Sequence, residues 1–289
     1  AQLPGGDLNM GFVVPSFVKN IRGEPINSDN FLFQILALED RNIVSEATAF
    51  SPTNAPIFLT AAHVLDIFPE LRPNRPLYPV MKINELLPKN KKLFLGVRLG
   101  EFCRLCQITE ITLDKDFDLA LFTCSYNTGV FPCLEVFENP IIDTKVSCMG
   151  FDKNWNTDVF DLDTFIIKKW NILITDGVVS EVNHCGTNGS MWYPTIGVTL
   201  KLTGGMSGGP CVTKNGTQLI GINSKGNSFG GTSYVQYFAK AMDRQFCLSG
   251  KIEWDNGETL SLNNFTLRSL IEKGFINQKL VSKLAYESN

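Results

Sequence analysis

Short apolar runs, several alternating with polar residues and closed by turn residues, recur from residue 31 to residue 238. That period of two is the signature of strands with one buried face. It predicts a first set of strands over 31–38, 43–49, 57–60, 92–99, 104–113 and 119–124. A second set is predicted over 146–150, 164–167, 171–182, 196–202, 210–213, 218–223 and 233–238. Strands this short and this closely spaced point to barrels or sandwiches. Residues 66–90 hold five prolines and read as one long loop. Residues 1–30 mix Pro, Gly and Asn with short apolar pieces and are expected to wrap the first strand set. The tail changes period: 265–271 and 276–284 have helical spacing, interrupted at Gly274. It is expected to form two short helices that pack on the strands or serve for docking.

The whole-chain properties narrow the classes. With 289 residues, 44% of them hydrophobic, the chain can bury one large core or two small ones. No run of 18 apolar residues occurs, so no membrane span is expected. A net charge of −3 argues against binding a phosphate backbone. The start, Ala1-Gln2-Leu3-Pro4-Gly5-Gly6, has neither the basic end nor the apolar stretch of a signal peptide. Lacking an initiator methionine, it is expected to follow removal of a leader, release from a precursor or trimming.

The densest chemical signal is Gly204-Gly205-Met206-Ser207-Gly208-Gly209-Pro210. Glycine before the serine lets the backbone N–H groups of Gly205 and Ser207 turn the same way, which is what a tetrahedral oxyanion needs. Glycine after it removes bulk where a substrate backbone would approach. The plainer reading is a glycine-rich loop between strands. A serine nucleophile needs a base, and the chain has two histidines, His63 and His184. His63 ends the apolar run Phe58-Leu59-Thr60-Ala61-Ala62, whereas His184 precedes the loop-like Cys185-Gly186-Thr187. A base needs a carboxylate to fix its tautomer. Asp118 opens the apolar run Leu119-Ala120-Leu121-Phe122, where burial would be costly without a partner. Asp114 and Asp116 are expected to stay solvated.

Together, Thr60-Ala61-Ala62-His63, Asp118-Leu119-Ala120-Leu121 and Gly205-Met206-Ser207-Gly208-Gly209-Pro210 resemble the three signatures of trypsin-like (chymotrypsin-fold) serine proteases, in that family's order. The resemblance covers roughly residues 30–240. It implies an all-β fold of two antiparallel six-stranded barrels with the active site between them, here followed by the short helical extension. Divided accordingly, 1–135 would hold the N-terminal arm and first barrel with His63 and Asp118. Residues 136–245 would form the second barrel with Ser207, and 246–289 the extension. The implied activity is a serine endopeptidase with catalytic His63, Asp118 and Ser207 and an oxyanion hole from Gly205 and Ser207. By the same carry-over, Ser224, Lys225 and Gly226 would pair with a polypeptide substrate bound as an extended strand. Lys201 and Thr203 would sit near the primary specificity pocket, and Gly230-Gly231-Thr232 would form another wall. No metal or organic cofactor is implied.

The chain also departs from the digestive enzymes. Met206 stands where zymogen-activated members carry an aspartate, so activation by N-terminal insertion is not expected. Val64 and the segment Lys201-Leu202-Thr203 lack their usual cysteines. The pattern is closer to HtrA-like, glutamyl-endopeptidase-like and viral branches, and with Ala1 it suggests release from a viral polyprotein. Lacking the histidine-loop disulfide, the chain is expected in a reducing, intracellular compartment. The sequons at Asn188, Asn215 and Asn264 weigh the other way. Cys103-x-x-Cys106 has no second pair, and buried free thiols are expected. Two other functions fit the fold, a silent binding module and an esterase or acyl transferase.

Overall fold

The computed structural model describes residues 31–72, 80–99, 102–125, 134–152, 157–159, 164–167, 172–184, 191–227, 231–276 and 283–285. The predicted arm at 1–30 lies outside them. In chain order the strands of the first half are β1 (Leu32–Glu39), β2 (Asn42–Phe50), β3 (Phe58–Thr60), β4 (Met81–Lys82), β5 (Lys91–Leu99), β6 (Phe102–Asp114) and β7 (Leu119–Cys124). Those of the second half are β8 (Glu135–Val136), β9 (Lys145–Phe151), β10 (Thr157–Val159), β11 (Thr164–Ile167), β12 (Ile172–Asn183), β13 (Thr195–Val198), β14 (Pro210–Thr213), β15 (Gln218–Lys225) and β16 (Ser233–Tyr237).

Two closed, six-stranded antiparallel barrels result. The first runs β6-β5-β1-β2-β3-β7 and closes through pairing of β6 with β7; β4 and β11 add to β6, and β10 to β11. The second runs β14-β9-β12-β13-β16-β15 and closes through β14 with β15. Full closure leaves no barrel edge unpaired. Each barrel is filled from its own strands. Phe58 stands between Phe33, edge-on at 5.1 Å, and Phe122, stacked at 5.5 Å, inside the first. Val146, Val179, Ile196, Ile220 and Val235 fill the second. A third apolar cluster joins them, running from Leu59 and Leu121 through Met149, Phe151 and Ile222 to Trp254, Leu262 and Leu270 in the tail.

Three expectations need correction. The strand predicted over 196–202 ends at Val198, because the Thr199 hydroxyl takes over as acceptor for the Val178 N–H at 3.0 Å. The proline-rich segment 66–90 is not one loop: its described residues include the end of the 3₁₀ turn Ala62–Ile67, the 3₁₀ turn Pro69–Leu71, β4 and a short helix, Ile83–Leu86. Among the described residues of the tail one helix spans Leu267–Ile276, and Gly274 lies inside it; most of the second helix expected over 276–284 lies outside the described residues. A Cβ at Gly274 would come within 2.8 Å of Asn54 Oδ1, and the Gly274 carbonyl accepts from Asn54 Nδ2 at 3.1 Å. Here the glycine serves close packing and does not end the helix. The other described elements of the tail are short strands, Gln245–Phe246, Lys251–Glu253, Thr259–Ser261, Phe265–Thr266 and Lys283–Ala285.

Candidate active site

His63 lies on the 3₁₀ turn that follows β3, behind the buried Ala61 and Ala62. Asp118 closes the turn Lys115–Phe117 in the left-handed region, with φ of 50°, a conformation that Asp tolerates better than most residues. That twist carries its carboxylate back to the His63 turn. The His63 backbone N–H donates to Asp118 Oδ1 at 2.9 Å, and His63 Nδ1 meets Oδ2 at 2.8 Å. The Ala62 N–H donates to the Asp118 carbonyl at 3.1 Å. Asp118 is 7% exposed, so an uncompensated charge there would be costly. Burial works against a charged His63, but the Asp118 hydrogen bond and charge, helped by Asp66, outweigh it and raise the imidazole pKa above its usual value.

Asp114 and Asp116 are not both solvated as expected. Asp114 is buried and accepts from Arg244 Nε at 2.6 Å, while the exposed Asp116 accepts from Arg244 Nη2 at 3.2 Å. Neither is bonded to His63. His184 is exposed at the end of β12, its ring 5.7 Å from that of Tyr237.

The serine loop is built almost entirely from backbone. A 3₁₀ turn, Gly204–Met206, leads into Ser207. The Ser207 carbonyl accepts from the Thr48 N–H of the first barrel at 2.9 Å, and Gly208 N–H donates to the Asn223 carbonyl at 2.9 Å. Gly208 has φ of +88°, and a Cβ there would lie 2.0 Å from Thr60 Oγ1 and 3.1 Å from the Ala61 nitrogen. So the residue after Ser207 packs against the segment that carries His63, and only glycine fits. Thr48 Oγ1 donates to the Gly205 carbonyl at 2.8 Å and accepts from the Phe151 N–H at 2.9 Å. Asn223 Nδ2 donates to the Met149 and Met206 carbonyls. Met206 is fully buried. Among the described residues, no hydrogen bond joins the Ser207 hydroxyl to His63.

A cleft of about 400 Å³ is lined by His63, Asp118, Met191, Trp192, Tyr193, Ser224, Lys225 and Gly226. Ser224, Lys225 and Gly226 line this cleft, but the Ser224 side chain is committed elsewhere: its hydroxyl donates to Asp118 Oδ2 at 2.5 Å. Lys201 is exposed and does not line this cleft. Thr203 is half-buried, and its hydroxyl has no hydrogen-bond partner among the described residues. Gly231 and Thr232 are described, but Gly230 is not. Sequence reasoning missed Thr48, Asn223 and Met191-Trp192-Tyr193. Nothing in the sequence marks Tyr193 as buried, and the need of a buried tyrosine hydroxyl for a partner shows only in the fold.

Two closed barrels, a His63–Asp118 pair and Ser207 on a glycine-rich turn fit a hydrolase of the serine protease class. Residues 46–222 match the trypsin-like peptidase domain, and the chain belongs to that family: it is a serine protease. The chain is also similar to the solved structure of Deg5, at 15% identity over 73% of this chain and 85% of that one, with a TM-score of 0.50. A second similar structure is the active form of the Rv3671c protease from M. tuberculosis, at 13% identity over 74% and 78%, with a TM-score of 0.48. No curated protein matches the chain. No helix among the described residues is long and apolar enough to cross a membrane.

Proposed function

We propose that the chain is an endopeptidase acting through Ser207, His63 and Asp118 with an acyl-enzyme intermediate. The observation that carries this reading is the double attachment of His63 to Asp118 through backbone N–H and ring. It leaves the proton on Nδ1 and frees Nε2 to accept the Ser207 proton. Ser207 Oγ then bonds to the peptide carbonyl carbon, and the N–H groups of Gly205 and Ser207 stabilise the oxyanion, each worth about 3 kcal/mol. His63 returns the proton to the leaving amine. Water, deprotonated by His63, releases the acyl group. The absent Ser207–His63 bond is compatible with this cycle, because such bonds often tighten only once substrate is bound.

The substrate lies as an extended strand along Ser224, Lys225 and Gly226, with Lys201 and Thr203 towards the side chain that precedes the scissile bond. N-terminal insertion plays no part, since the buried thioether of Met206 offers no charge to an ammonium group. The boundaries 1–135, 136–245 and 246–289 remain our division of the chain, and an intracellular setting fits the free thiols of Cys106, Cys148, Cys211 and Cys247. An unbiased peptide-library cleavage profile, with Ser207→Ala as control, tests the reading. Cleavage within peptides by the wild type alone supports it, and cleavage of esters alone removes the endopeptidase assignment.

A further inference from the structure

The hydroxyl of Tyr193 reaches the carboxylate of Asp118 from the cleft wall. It contacts Ser224 Oγ at very short range and lies 3.4 Å from Asp118 Oδ2. Ser224 Oγ is in turn 2.5 Å from the same Oδ2. All three residues are buried, whereas the neighbouring Trp192, edge-on to Tyr193 at 5.7 Å, is 67% exposed. The direction of the chain follows from proton counting. An ionised carboxylate only accepts, so the single Ser224 proton points to Asp118. Ser224 can then only accept from Tyr193, whose proton is the one left for that contact. The order is Tyr193 to Ser224 to Asp118, with His63 donating to Asp118 from the other side.

We propose that Tyr193 is a positioning residue of the catalytic centre, locking the Ser224 proton onto Asp118 and so sharing the charge that holds His63. The proposal rests on the triad reading above. Burial, first, and the nearby Asp118 charge both raise the Tyr193 pKa, which keeps the phenol protonated as a donor. The titratable or charged groups facing His63 are Asp118, Asp66 on its own turn, and Tyr193 and Lys225 across the cleft. Removing the phenol hydroxyl weakens the donor strength of Ser224. More of the carboxylate's charge then falls on His63 Nδ1–H, and the imidazolium is held more tightly.

The test is Tyr193→Phe, read by NMR titration of His63 with the exposed His184 as internal control, and by steady-state kinetics. The expected result is a His63 titration displaced to higher pH, His184 unmoved, and kcat lower by about 3- to 10-fold with KM little changed, the scale of one lost hydrogen bond. A raised KM or a lowered Tm with the His63 titration unmoved would show a purely structural wall residue and overturn the proposal. Should the variant fail to fold, the wild-type protein decides. A slowly exchanging Tyr193 hydroxyl proton with cross-relaxation to the Ser224 β-protons supports the chain, and rapid exchange with solvent overturns it. The triad reading fails separately, if wild-type Ser207 is inert to a fluorophosphonate while His63 still titrates as described.

Discussion

The two halves of the proposed catalytic centre are held in different ways. On the first barrel, His63 and Asp118 are joined by charged and side-chain hydrogen bonds, with Ser224 as a further donor. On the second, Ser207 is placed by backbone bonds to Thr48 and Asn223 and by glycines whose missing side chains allow close approach. The first half is finished before substrate arrives: the imidazole is already oriented. The second holds its backbone firmly but leaves the Ser207 hydroxyl without a bond to His63. Chemistry on one side and shape on the other meet in the cleft.

Substitutions can break this division one side at a time. The largest effect is expected from Ser207→Ala, with kcat falling by about 10⁶-fold as when a Ser-His-Asp triad loses its nucleophile, while circular dichroism and Tm stay near wild type. Next comes Asp118→Asn, with a loss of roughly 10⁴-fold, as when the aspartate of a Ser-His-Asp triad becomes an asparagine that leaves the imidazole in the wrong tautomer. The same variant should return His63 towards or below its ordinary titration range. In the wild type the sign runs one way: His63 must be neutral to act as base and its pKa is raised. Thus kcat/KM should be low at and below the ordinary histidine value of 6.5 and rise only through a higher pH. A profile with its acid limb below 6.5 would count against the His63–Asp118 coupling.

Smaller effects test the shape side. Thr48→Val leaves the buried Gly205 carbonyl and Phe151 N–H without a shared partner and should cost about 1–3 kcal/mol in denaturant unfolding, with reduced kcat. Arg244→Ala should sharpen the contrast from the other direction. Its partners Asp114 and Asp116 sit beside Asp118 in sequence but not in the His63 network, and Arg244 is half-buried. Turnover should stay within about twofold and stability should fall by about 1 kcal/mol.

The same contrast explains what could be read from the chain. Strand periodicity places β7, β11 and β14 to the residue, and the order of His63, Asp118 and Ser207 points to the two-barrel protease. What stayed hidden depends on distant pairing. Gly274 looks like a helix breaker until Asn54, far away in sequence, is packed against it. Asp114 looks solvated until Arg244 arrives from beyond the second barrel. Thr48 is an ordinary strand threonine whose hydroxyl matters because Gly205 and Phe151 fold over it. Tyr193 reads as one aromatic in a loop-like stretch, and its hydroxyl gains meaning only beside Ser224 and Asp118.

The most direct test of the central claim is to treat the folded wild-type protein with a fluorophosphonate and locate the adduct by mass spectrometry. We predict a single covalent adduct on Ser207, formed faster above the His63 titration than below it and lost in Ser207→Ala and His63→Ala. An unlabelled Ser207 in correctly folded protein, or equal labelling without His63, would contradict the account.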